Sequence, residues 1–205
     1  MSIWSWDGIR PVIDPNAFVH PDATIIGDVI VGAAVYIGPG AVLRGDFGRI
    51  MLHTGCNVQE TCVVHSFPDK DVIINEGGHI GHGAVLHGCQ IGRNAMVGMN
   101  AVIMDEAQIG ENSIIAAMAF VKAGQQIPAG ALVIGAPAKV LRMLTPDEID
   151  WKRRGTAIYQ RLALEARDRM APTQALTAPE ADRPRAQAPQ YDPLVLERAR
   201  FSEPI

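Results

Sequence analysis

From Ile91 to Val133 one aliphatic side chain returns every six residues: Ile91, Val97, Ile103, Ile109, Ile115, Val121, Ile127 and Val133. Four residues after most of them stands something small, namely Ala95, Ala101, Ala107, Ser113, Ala119 or Ala131. An amphipathic helix repeats near 3.6 residues and a half-buried strand at 2, so neither describes this register. A six-residue period is the mark of a parallel β-helix, in which three short sides make one coil. Positions 18 apart then stack on successive coils, ~4.8 Å apart like any neighbouring strands. A second run, Val19, Ile25, Val31, Ile37 and Leu43, places further coils upstream.

The pattern loosens through Ile50, Cys56 and Cys62 and breaks over residues 66–78. There Phe67-Pro68-Asp69-Lys70-Asp71 and Glu76-Gly77-Gly78 read as a loop thrown out from a corner. Residues 1–18 hold Trp4, Trp6 and Phe18, which are expected to cover the open end of the first coil. The repeats fill 19–144. Thr145-Pro146-Asp147-Glu148 then reads as a helix start, with Thr145 as N-cap, Pro146 at N1 and Glu148 at N3. The helix is expected over 145–170, lying back along the solenoid with Ile149, Ala157, Ile158, Leu162 and Ala166 on one face. Gly155 interrupts it at a cost of roughly 1 kcal/mol. Residues 171–205, rich in Pro and Ala without a period, are expected to form a flexible tail.

Composition fits a narrow solenoid: 48% of the 205 residues are hydrophobic but only 5% aromatic. A net charge of −4 with both signs interspersed leaves no nucleic-acid footprint. No apolar run is long enough to span a membrane, and residues 1–7 lack the features of an export signal, so a cytoplasmic protein is expected. Cys56, Cys62 and Cys89 form no CxxC pair and read as reduced thiols at inward positions.

The histidines carry the candidate chemistry. His65 and His87 are 22 residues apart, one 18-residue coil plus four residues of loop, so they are expected to stack on one face close enough to share a metal. His82 projects near an adjacent corner and points elsewhere. If flat faces pack around a threefold axis, a neighbour's His82 supplies the third ligand. Three imidazoles and one open position make a catalytic zinc site, whose bound water has a pKa near ~7. Imidazole also suits Fe2+ or Co2+. Arg44 and Asp46, at i and i+2 of a strand, share a face and can pair. Gln59 offers a donor and an acceptor suited to orienting a metal-bound hydroxide. His20 reads as a turn residue, His53 and His79 as surface residues, and Met96, Met99 and Met104 as packing.

The set Arg44-Gly45-Asp46, Asn57-x-Gln59-Glu60, His65, Gly81-His82 and Leu86-His87-Gly88-Cys89 resembles the γ-class carbonic anhydrase family over residues 10–165. The resemblance implies a left-handed β-helix, where the general crossover rule would give a right-handed one. It implies a homotrimer with a zinc-type metal on His65 and His87 of one subunit and His82 of the next. Arg44 and Asp46 match an interface pair, Gln59 matches the residue orienting metal-bound solvent, and Tyr159 matches a tyrosine near the metal. None of Asp69, Asp71 and Glu76 matches the glutamate that shuttles protons in the prototype. The first expectation is therefore a metal-dependent acyl-CoA thioesterase using a metal-bound hydroxide, as in a branch of the family associated with phenylacetate breakdown. CO2 hydration is the second. A hexapeptide acyltransferase working through one histidine base is the third, and a non-enzymatic scaffold subunit the fourth.

Overall fold

A computed structural model describes residues 2–187 and 189–201. The repeats fit a left-handed parallel β-helix of about seven turns, followed by a C-terminal helix. Every aliphatic of the six-residue register from Ile25 to Leu43 and from Ile91 to Val133 is buried. The small positions Ala84, Ala95, Ala101, Ala107 and Ala119 fill the corners between them. The corners need a left-handed backbone three residues after an inward aliphatic. Asn94, Asn100, Glu106, Asn112 and Met118 all take positive φ there. Asn tolerates this conformation well, and Glu106 and Met118 show that the repeat imposes it regardless.

Three faces result. The first is an eight-stranded sheet that includes Phe18–Val19, Tyr36–Ile37, Asn57–Val58, His79–Ile80 and Met96–Val97, and that ends on an antiparallel strand, Lys139–Met143. The other two belong to one twelve-stranded sheet, because Thr24–Val31 and Val42–Leu52 run continuously around a corner. On the second face Val42, Val63, Val85, Val102 and Phe120 stand in register, one per coil. On the third, Gln90, Gln108 and Gln126 form a polar ladder.

All three cysteines are free and occupy the inward small positions. Cys56 Sγ donates to the Asn75 carbonyl at 3.1 Å and Cys62 Sγ to that of Gly81 at 3.2 Å. Burial lifts Cys56 and Cys89 to about 12 and Cys62 to about 11, so they remain unreactive thiols at neutral pH.

Helix α1 (Pro146–Arg169) starts as its sequence dictates. Glu148 N–H donates to Thr145 Oγ1 while the Glu148 carboxylate accepts from Thr145 N–H. It lies on the first face, but on a different stripe from the apolar one expected. Ala157 is exposed and Ile149, Ile158 and Leu162 are half-buried, whereas Glu148, Lys152, Gly155, Thr156, Ala163 and Ala166 are buried. The reason is that this face of the solenoid is polar at its centre, with Asn57, Gln59 and His79 pointing outward beneath the helix. Apolar packing is confined to one end, where Ala163 and Ala166 meet Phe18 and Tyr36. Lys152, 1% exposed, extends its stem through the contact and donates from Nζ to Gly77 O at 2.8 Å and Asn94 Oδ1 at 2.9 Å.

Three expected segments differ in detail. The break at 66–78 is shorter, because Val72–Ile74 is a strand paired with Ile50–Leu52. Only Ser66–Asp71 leaves the coil, and Gly77-Gly78 turns an ordinary corner. Trp4 and Trp6 are half or more exposed, while Ser2–Trp4 adds a parallel strand to the outer edge of the first coil at Thr24–Ile26. Phe18 is buried, under α1 rather than over the coil end. In the segment expected as a flexible tail, a second helix α2 (Leu194–Phe201) forms and the chain before it docks on α1.

Burial pulls the Lys152 ammonium down to about 7. The unfolded chain keeps that proton to about pH 10.5, so it binds more protons than the folded chain and stability rises with pH from about 7. The cysteines, held as thiols in the fold, oppose this only above about pH 9. Urea unfolding between pH 7 and 8.5 is expected to show stability rising by up to ~1.4 kcal/mol per pH unit. Lys152→Met should flatten that slope.

Candidate functional site

Parallel pairing puts His87 directly beside His65 across adjacent coils, with Val85 against Val63 and Leu86 against Val64. The expected stacking is therefore present, the extra four residues being absorbed by Ser66–Asp71. His65 Nδ1 and His87 Nε2 face each other at 3.2 Å. The other nitrogen of each ring is held by a carboxylate: His65 Nε2 by Asp46 Oδ1 at 2.9 Å, and His87 Nδ1 by Asp105 Oδ1 at 2.6 Å. With each ring's N–H donated to its carboxylate, the facing nitrogens are the pair that would bind a metal. Two such nitrogens on one tetrahedral metal at ~2.0–2.1 Å would lie about 3.3 Å apart, close to the spacing observed. The pair fits two of the ligands that a zinc-type ion takes.

Arg44 joins this group by donating from Nη1 to Asp46 Oδ2 at 2.5 Å. Burial pushes the Asp46 carboxyl up, but hydrogen bonds from Arg44 and His65 outweigh it and hold it below the usual range. Gly45 is needed between them, because a Cβ there would sit against the Asp28 backbone. Phe47 and Phe67 pack their rings 5.3 Å and 5.0 Å from His65 and His87 respectively.

Among the described residues, no group of three His, Cys, Asp or Glu in one chain could hold a metal. His82 lies in the corner turn between His79–Ile80 and Val85–His87, nearly half exposed, with Nδ1 bonded to Glu60 Oε2 at 2.5 Å. His82 keeps company with Gln59 and Tyr159 in an apolar cavity of about 380 Å3 between the solenoid and α1. The chain thus carries two separate groups: Arg44, Asp46, His65 and His87 around the His65–His87 stack, and Gln59, His82 and Tyr159 around the cavity under α1.

His79, expected at the surface, is buried beneath α1 and belongs to the second group. Docking of the helix hides it, which the repeat arithmetic cannot reveal. Its Nε2 lies 2.8 Å from Gln59 Nε2 and its Nδ1 3.2 Å from Asn57 Nδ2. Burial first, then Lys152 and His82, bring it down to about 3, so the ring is neutral. A neutral ring has one N–H, so one of the two amides meets it with oxygen. In the orientation observed, Gln59 also donates from Nε2 to Asn57 Oδ1 at 2.9 Å. Burial and Glu60 raise Tyr159 to about 12, which keeps it a phenol and a hydrogen-bond donor at neutral pH.

Two partners were missed by sequence reasoning, Asp105 and the pairing of Glu60 with His82. Asp105 follows His87 by 18 residues, and Glu60 precedes His82 by 22 across the same loop. The stacking rule that joins His65 to His87 finds both.

The family model described as bacterial transferase hexapeptide (six repeats) matches residues 10–45 and 88–123. The carnitine operon protein CaiE of Salmonella agona is 57% identical over 185 residues, 90% of this chain and 93% of that protein. The chain belongs to the CaiE family of hexapeptide-repeat proteins. That family is γ-class carbonic anhydrase-like. Among solved structures, a Bacillus cereus protein assigned as a candidate acetyltransferase superposes with a TM-score of 0.78 at 34% identity, covering 80% of this chain and 95% of that one. A hexapeptide transferase family protein from Anaplasma phagocytophilum superposes with a TM-score of 0.76 at 38% identity, covering 79% and 96%. No helix among the described residues is long and apolar enough to cross a membrane.

If the carboxylates set the two tautomers, removing one should weaken metal capture without unfolding the coil. Asp105→Asn is expected to lower zinc affinity by about 10–100-fold in chelator competition, with an unchanged circular dichroism spectrum.

Proposed function

We propose that the protein is a metal-dependent acyl-CoA thioesterase of the PaaY type, working as a homotrimer with each metal site shared between subunits. One observation carries its metal-dependent part: ring nitrogens of His65 and His87 face each other 3.2 Å apart, each ring bonded through its other nitrogen to a carboxylate. Carboxylates behind two converging imidazoles are the arrangement that orients histidine ligands toward a bound cation. The second half, with His82 and a cavity, lies on another face of the chain, and the in-register row Val42, Val63, Val85, Val102 and Phe120 beside the first half offers a second copy an apolar surface.

His65 and His87 would hold the metal from one subunit and His82 from the next. When bound, a divalent metal lowers the pKa of water to about 7 and polarises a carbonyl oxygen. Asp46 and Asp105 keep the ring protons away from the metal side, and Arg44 keeps Asp46 ionised and in place. Gln59, rigidly held, orients the attacking oxygen through its amide. Tyr159 provides a phenolic donor at the cavity wall. Hydrolysis forms one C–O bond and breaks one C–S bond, and the CoA thiolate leaves and takes up a proton.

Acyl transfer is the second reading, supported by the matched transferase repeats and by the candidate acetyltransferase among the structural relatives. CO2 hydration shares every ligand with the first. Of the acids in the excursion and after it, Asp71 accepts from Arg49 N–H, and Glu76 lies near Arg93, so both are engaged elsewhere.

Thiol release from a panel of acyl-CoAs separates the readings. Zinc-loaded protein is expected to release CoA in water alone at least about 100-fold faster than metal-stripped protein, the loss of an activated nucleophile and a Lewis acid together. Release that needs an added amine or alcohol acceptor would favour acyl transfer. Absence of release, with metal-dependent CO2 hydration instead, would favour the anhydrase.

A further inference from the structure

The cavity between the solenoid and α1 has a wall that comes from the far end of the chain. Tyr191, in the segment between the two helices, lays its ring on Trp151 with centroids 5.2 Å apart and planes 18° apart. Its hydroxyl donates to Trp151 O at 3.1 Å, and Trp151 Nε1 donates in return to Asp192 O at 2.8 Å. Arg154 reaches Glu197 of α2 at 3.4 Å, so the docked segment is tied at a further point. Gly155 explains an oddity of the helix: a Cβ at this position would collide with Tyr191 Oη. The glycine that weakens the helix is what lets the tyrosine in.

The cavity lining is chemically one-sided. Trp151, Tyr159, Tyr191, Met96 and Met99 line it, with Gln59 and His82 its polar members alongside His79, and no Asp, Glu, Lys or Arg takes part. A pocket without a cation is unsuited to the phosphates of CoA, and one walled by flat rings suits an apolar group.

We propose that Tyr191 is a specificity-determining residue: it walls the pocket for the acyl group and selects bulky, ring-bearing acyl chains over short ones. This rests on the acyl-CoA reading of the site. Its removal should open the pocket to solvent, costing the affinity of a large apolar group and leaving a small one unaffected.

Calorimetric titration of the full-length protein with S-ethyl-CoA and S-phenethyl-CoA, thioethers that cannot be hydrolysed, tests it. Wild-type protein is expected to bind the phenethyl compound about tenfold or more tightly than the ethyl compound. Tyr191→Ala should bring that ratio below about threefold, and Tyr191→Phe, which keeps the ring, should retain it. Gly155→Ala, which displaces the ring without altering it, should behave as Tyr191→Ala. An undiminished ratio in Tyr191→Ala, or wild-type protein that binds neither thioether or both equally, would overturn the proposal. The acyl-CoA panel run alongside separates the two layers. Thiol release with an unchanged ratio in Tyr191→Ala removes the role of Tyr191 and leaves the thioesterase. Tyr191-dependent binding without thiol release keeps the pocket and removes the hydrolysis.

Discussion

Parallel pairing at a fixed spacing ties every side chain of this molecule to the one a coil away. Adjacent strands lie ~4.8 Å apart, so residues on successive coils have no freedom of relative position beyond their rotamers. The core follows directly, since an inward Ile or Val must meet another one above and below. The outward rows follow as well, and they are where function resides. His65 beside His87, Asp105 beside His87 and Glu60 near His82 are consequences of register, each separated by 18 residues or by 18 plus the excursion at Ser66–Asp71. A rigid lattice that sets N···N distances to a few tenths of an ångström is what a metal site needs, and loops rarely provide it.

The helix-covered face obeys a different logic. Asn57, Gln59, His79, Thr156 and Lys152 are buried polar groups, each of which would cost about 1–3 kcal/mol if left without a partner. They satisfy one another and the corner carbonyls instead: Gln59 bridges Asn57 and His79, and Lys152 spans Gly77 and Asn94. Such a network adds little net stability over an apolar contact, but it tolerates only one seating of the helix. That seating fixes Gln59 and Tyr159 and forms the cavity on which Trp151 and Tyr191 converge. Helix and tail thereby shape the pocket while the solenoid fixes the two histidines.

How far the sequence discloses all this depends on whether a feature is local or periodic. The solenoid, the inward cysteines, the His65–His87 stack and the capping box at Thr145 are all of that kind, and simple arithmetic recovers them. Asp105 was recoverable by the same arithmetic and was overlooked because a lone aspartate at a corner carries no motif. The burial of His79 and Lys152 is not recoverable, because it arises when a helix that starts more than 60 residues after His79, and carries Lys152, settles on the solenoid. The apolar stripe Ile149, Ile158 and Leu162 misleads for the same reason: a helix docking on a polar face buries its polar and small residues. Tyr191 leaves only an indirect trace, the glycine at 155 in an otherwise strong helix.

The sharing of one site by two subunits is the central claim, and metal content of mixed assemblies tests it most directly. His82→Ala and His87→Ala chains, each with one half intact, are co-expressed in equal amounts and purified together, and zinc per chain is measured by atomic absorption. A shared site predicts almost no zinc in either variant alone and about one quarter of wild-type zinc in the mixture, since random assembly pairs the two intact halves at that frequency. Full occupancy in the His82→Ala protein alone, or a mixture as empty as its parents, would contradict it.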